Sequence, residues 1–169
     1  MKLGRKMKQL NIIVYVSTAY SNCNRSDVEE KVYPLNGDVD SIIDQIIRND
    51  NDDDDKKPEK GDPILFGRPN SYTASKAIAE YLIQEKFADL PIVICRPSIV
   101  AHAYDEPIKG WCDSLNGFSA PVMMGCLGIL QTYNLNFHKL ADIIPVDFVA
   151  NSLIVIGYYS AIVPEKRKK

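Results

Sequence analysis

The chain has 169 residues, 46% of them hydrophobic and 25% charged, with a formal net charge of -2 at pH 7. That is enough for one domain with a real core and ordinary for a soluble globular protein, and the charge balance gives no reason to expect nucleic acid as a partner. No apolar run reaches the roughly 18 residues needed to span a bilayer; the longest, residues 148–163, is interrupted by Asn151, Ser152, Gly157 and Ser160.

The N-terminus is basic (Lys2, Arg5, Lys6, Lys8) but lacks the apolar stretch of a signal peptide. Residues 11–16, Asn-Ile-Ile-Val-Tyr-Val, form a β-branched run suited to a strand buried in a parallel sheet. Ser17, Thr18 and Tyr20 follow at its carboxyl edge, where open α/β sheets bind ligands. Two hydroxyls there can hydrogen-bond a substrate carbonyl, or simply end the strand. Residues 21–38 read as loop. In residues 39–50, Ile42, Ile43, Ile46 and Ile47 make the stripe of an amphipathic helix. Residues 49–62, with Asp52 to Asp55, read as an acidic surface loop.

Gly67-Arg68-Pro69-Asn70-Ser71 turns the chain, and Asn70 or Ser71 can cap a helix over residues 71–87 whose apolar face is Ala74, Ile78, Tyr81 and Leu82. Residues 92–95 are a second buried strand. The order strand, helix, strand implies a right-handed βαβ unit. Arg96 to Val100 mark another carboxyl edge, and residues 107–117 are irregular. Residues 121–131 suggest a helix, whose Met123 and Met124 suit core packing better than an acyl-chain lining. Residues 142–147 read as a short strand or turn. Residues 146–161 form an apolar helix with Asp147 near its positive end, and 165–169 are a charged tail. Cys23, Cys95, Cys112 and Cys126 are widely spaced and the chain has only two histidines, which points to reduced thiols in a cytosol-facing protein and to no metal site.

The strongest chemical signal is Tyr72-Thr73-Ala74-Ser75-Lys76 at the start of the helix. Residues i and i+4 share one helix face, about 6 Å apart. A free phenol has a pKa near 10, and a neighbouring cation favours its phenolate. Such a pair suits proton donation to a carbonyl oxygen as a nicotinamide reduces it. By itself the spacing also fits an unremarkable helix start.

Five segments stand in one order: Val16 to Asn22, Tyr72 to Glu80, Arg96 to Val100, Gly110-Trp111-Cys112-Asp113 through Gly117, and Asp142 to Asn151. Together they resemble the alcohol-forming fatty acyl-CoA reductases, the male-sterility type of the extended short-chain dehydrogenase/reductases. The resemblance implies an α/β fold, a Rossmann-like doubly wound parallel sheet. It implies reduction of a long-chain acyl-CoA to a primary alcohol through a hemithioacetal and an aldehyde, with NADPH. Carried over by motif, Tyr72 is the general acid and Lys76 its activating partner and a ligand of the nicotinamide ribose. Thr18 binds the substrate carbonyl oxygen, with Ser17 as the adjacent alternative. Pro97, Ser98 and Ile99 border the nicotinamide. Relatives of this type sit on peroxisomal or endoplasmic reticulum membranes.

The Gly-rich turn that opens a dinucleotide fold has no counterpart in the chain. The expectation is therefore one incomplete NAD(P)-binding domain over residues 1–169, lacking the N-terminal half of the sheet and the membrane-attaching segments. Its exposed sheet edge invites self-association or poor solubility. Two other readings remain: a related epimerase, dehydratase or steroid dehydrogenase, and a non-catalytic remnant acting through that edge.

Overall fold

The structure, a computed structural model, describes residues 1–49, 58–59, 61–136 and 138–163. Most of the acidic stretch and the charged tail therefore lie outside the described residues. The chain divides into two compact units, one ending at Arg96 and one beginning at Pro97.

In the first unit, β1 (Ile13–Val16) pairs in parallel with β2 (Ile92–Cys95), in the register Ile13–Ile92 through Val16–Cys95. The Ser17 N–H extends the ladder to the Cys95 carbonyl at 2.7 Å. Between the strands run a 3-10 turn (Ala19–Asn22), α1 (Val39–Asn49) and α2 (Ser71–Lys86). The parallel pairing joined through a helix agrees with the α/β expectation. Asn70 caps α2: its side chain accepts from the Thr73 N–H at 2.9 Å. Beyond Phe87, Pro91 holds Leu90 away from helical geometry and delivers the chain to β2.

Leu35, Val39, Ala77 and Ile78 form the core of this unit, with Ile43, Phe66, Tyr81 and Leu82 packed on it. The predicted α1 stripe is thus only half used, because Ile46 and Ile47 in its last turns stay exposed. An Asp40–Lys86 ion pair ties α1 to the end of α2. The basic N-terminus is docked as well: Arg5 grips the Asp89 carboxylate at 2.6 and 2.8 Å and lies over the Phe87 ring.

In the second unit, β3 (Ile99–Ala101) pairs in parallel with β4 (Ile143–Pro145), which runs straight into α4 (Val146–Ile162). Ile99 and Val100, read from sequence as part of a strand's edge, thus belong to a strand of their own. The helix expected over 121–131 is instead α3 (Ser119–Cys126). Gly128 adopts φ +73°, and the Ile129 N–H reaches back to the Met124 carbonyl at 3.0 Å. That left-handed closure stops the helix early. No helix among the described residues is long and apolar enough to cross a membrane.

Candidate active site

Lys76 links the carboxyl end of β1 to the first turns of α2. The Lys76 Nζ donates to the Val16 carbonyl oxygen at 3.0 Å and lies 5.5 Å from the Tyr15 ring centroid. One turn earlier on the same helix is Tyr72, which is 56% exposed. Tyr15 feels this neighbourhood. Partial burial pushes its phenol above the usual range, and the charges of Glu80 and Tyr72 add to the shift.

Ser17 and Thr18 are both buried. Thr18 is extended and caps the 3-10 turn, its Oγ1 accepting from the Tyr20 N–H at 3.3 Å. Accepting that bond leaves the hydroxyl hydrogen available for donation. Ser17 Oγ is a buried oxygen with no partner among the described residues. Buried polar atoms are almost always paired, so an orphan beside a strand's carboxyl end fits a ligand-facing group.

Beneath this face lies a polar network to which the sequence reading assigned no role. The Glu80 carboxylate is 1% exposed. It accepts from Arg96 Nε at 2.9 Å and Nη2 at 2.6 Å, and from Ser21 Oγ at 3.1 Å. Asn22 Nδ2 donates to Ser21 Oγ at 3.1 Å. Arg68 donates to the Ser21 carbonyl at 2.5 Å and to Asn22 Oδ1 at 2.9 Å. Burial lowers the Arg68 pKa from its usual value. Arg96 also donates to the Glu29 and Lys31 carbonyls, at 3.1 and 2.8 Å. The available signal was spacing: Tyr72, Lys76 and Glu80 repeat at i+4, and Arg96 directly follows β2.

Pro97, Ser98 and Ile99 belong to the second unit and are partly buried. The Ile99 N–H donates to the Asp142 carbonyl at 3.0 Å. In the same unit Asp147 receives the backbone N–H groups of Tyr104, Asp105 and Glu106 at 3.0, 2.9 and 3.2 Å. These bonds, led by that from Tyr104, hold its carboxyl at a pKa of about 2. The sequence placed Asp147 at the start of a helix but did not foresee this clamp.

A profile of the male sterility protein family, an NAD-binding domain, matches residues 1–153. The chain belongs to this family. That membership supports a nicotinamide cofactor, and the matched region contains Ser17, Thr18, Tyr72, Lys76 and Pro97 to Ile99. The chain is also similar to fatty acyl-CoA reductase 1 of Xenopus laevis, 42% identical over 161 residues, which cover 95% of this chain and 30% of that protein. It is 40% identical to fatty acyl-CoA reductase 1 of Homo sapiens over 161 residues, with the same shares of the two chains. Fatty acyl-CoA reductase 2 of Mus musculus is 38% identical over 161 residues, again 95% of this chain and 30% of the relative. The chain therefore spans about 30% of the length of the curated relatives it matches.

Proposed function

We propose that this chain carries the catalytic centre of an NADPH-dependent fatty acyl-CoA reductase that forms a primary alcohol through an aldehyde. The observation that supports it most is the Lys76 ammonium on the Val16 carbonyl, at 3.0 Å, at the strand end that Ser17 and Thr18 directly follow. A nicotinamide, when bound, supplies hydride to the acyl carbon. Everything else falls to side chains of the chain itself.

In each reduction, negative charge grows on the former carbonyl oxygen. The Thr18 hydroxyl, oriented by its cap, donates to that oxygen, with Ser17 Oγ as the neighbouring donor. Tyr72 delivers the proton that turns the alkoxide into a hydroxyl. The first such hydroxyl belongs to a hemithioacetal, which releases the thiol of coenzyme A and leaves the aldehyde. The second belongs to the alcohol. Lys76 assists the phenol and binds the ribose hydroxyls of the cofactor. Pro97, Ser98 and Ile99 border the nicotinamide in this reading.

The same reading assigns any membrane attachment, at peroxisomes or the endoplasmic reticulum, to the remaining length of such a reductase. β1 pairs only with β2 among the described residues, so its other edge is suited to a further strand, from this protein or a second copy.

The test is acyl-CoA-dependent NADPH oxidation by the purified chain beside Tyr72→Phe. The substitution is expected to lower turnover by about 10²- to 10⁴-fold. No turnover in the unsubstituted chain, or an unchanged rate in the variant, counts against the reading.

A further inference from the structure

We infer that Glu80 and Arg96 are a positioning pair that aims the Tyr72–Lys76 face of α2 at the end of β1. The inference rests on the reductase reading for its purpose, but its geometry stands alone.

Glu80 lies one turn beyond Lys76 and two beyond Tyr72, on the same helical stripe. Whatever fixes the rotation of α2 at Glu80 therefore fixes the direction in which the other two point. The carboxylate is held from two other segments of the chain. Arg96, at the end of β2, grips it with a two-pronged fork at 2.9 and 2.6 Å. Ser21, three residues after Thr18, donates to it at 3.1 Å, and the Ser21 N–H in turn bonds the Thr18 carbonyl at 3.2 Å. One buried carboxylate thus joins the helix bearing the Tyr and Lys, the turn bearing Thr18, and the neighbouring strand end. Two charged groups taken this far from water are a poor way to stabilise a fold, since well-packed apolar residues of like volume do as well or better. A fork of defined geometry is a better way to fix an orientation. The Tyr15 ring, 5.5 Å from Lys76 Nζ, also feels the Glu80 charge.

The test reads the Lys76 amine directly, without requiring catalysis. Brief acylation of the intact chain followed by mass spectrometry gives a labelling rate for each lysine. Lys86, on the same helix and paired with Asp40, serves as the internal reference. Two variants are compared with the unsubstituted protein: Glu80→Gln, which breaks the fork without changing volume, and the double variant Glu80→Met with Arg96→Met, which removes both charges together.

The pair predicts that the double variant melts cooperatively near the original midpoint while Lys76 labels at least fivefold faster relative to Lys86. Glu80→Gln is expected to show the same ratio. A folded double variant whose ratio stays within twofold of the original overturns the assignment. So does a double variant that does not fold, because the pair is then holding the fold rather than aiming the site. An overall loosening raises both lysines and leaves the ratio unmoved, which also overturns it. The reductase reading is judged separately by Tyr72→Phe, so failure of either idea is visible by itself.

Discussion

Lys76 Nζ donates to the carbonyl oxygen of Val16 at 3.0 Å, joining residues 60 positions apart. Val16 is the last residue of β1, so its carbonyl lies at the strand's carboxyl end. Holding an ammonium there fixes a positive charge at the strand end that Ser17 and Thr18 follow. It also leaves Nζ with two further N–H donors.

Lys76→Met separates the chemical role of this lysine from its structural one. The bond to Val16 is exposed and contributes about 0.5–1.5 kcal/mol. The thermal midpoint should fall by only a few degrees. If Lys76 serves the reaction as proposed, turnover drops about 10²-fold or more and nicotinamide binding weakens. A melt and an NADPH titration on one preparation test both halves. A large fall in midpoint with activity retained would reverse the assignment.

Thr18 offers a cleaner test, because its oxygen has two separable tasks. It accepts from the Tyr20 N–H at 3.3 Å, and in the proposed reaction its hydrogen goes to the substrate oxygen. Thr18→Ser keeps both and should hold activity within about tenfold. Thr18→Val keeps the shape and loses both. It should cost about 1 kcal/mol as a lost cap and about 10²- to 10³-fold in turnover as a lost oxyanion donor. Steady-state rates and urea midpoints for the two variants distinguish a catalytic hydroxyl from a capping one.

Asn70→Ala addresses how the site helix is started. The Asn70 side chain accepts from the Thr73 N–H at 2.9 Å, and the Thr73 hydroxyl donates back to the Asn70 carbonyl at 3.1 Å. Losing the cap should cost about 1 kcal/mol, and Asn70→Asp should restore it. Because Tyr72 sits in the first turn, fraying there should lower turnover more than the stability loss alone would explain.

Local chemistry made much of this legible from sequence. The β-branched run Ile92 to Cys95, the Asn70 cap and the Pro145–Val146 helix start each depend on a few adjacent residues, and each lies where their chemistry puts it. Four features escaped. β3 follows Arg96-Pro97 so closely that it merges with the preceding strand's edge. α3 ends on the left-handed turn at Gly128, which sequence alone does not distinguish from a tolerated helix glycine. The Glu80–Arg96 fork and the Asp147 clamp link residues far apart in the chain, and each needs the folded topology before its charge has an obvious partner. In the candidate site, the bond from Lys76 to the Val16 carbonyl is likewise a contact between distant segments that the Tyr72–Lys76 spacing does not specify. Tyr15 and Ser21 acquire their parts only from three-dimensional neighbours.

The Asp147 clamp gives the chain a defined acid response. Its carboxylate receives three N–H groups from residues 104–106 and one from Phe148, and its pKa is held at about 2 against an ordinary 3.8. A depressed carboxyl contributes stability that is complete above the unfolded value and is lost as pH falls through the folded one. The loss should therefore run from about pH 4 down to about pH 2. The same loop closes through bonds between Ala103 and both Gly110 and Trp111, the chain's one tryptophan. Tryptophan fluorescence and amide exchange at 104–106 should change together in that window. Asp147→Asn can no longer titrate and has one acceptor oxygen instead of two, so it should show a loosened loop at neutral pH and no transition between pH 4 and 2. A transition that persists in Asp147→Asn would assign the acid response to other carboxylates.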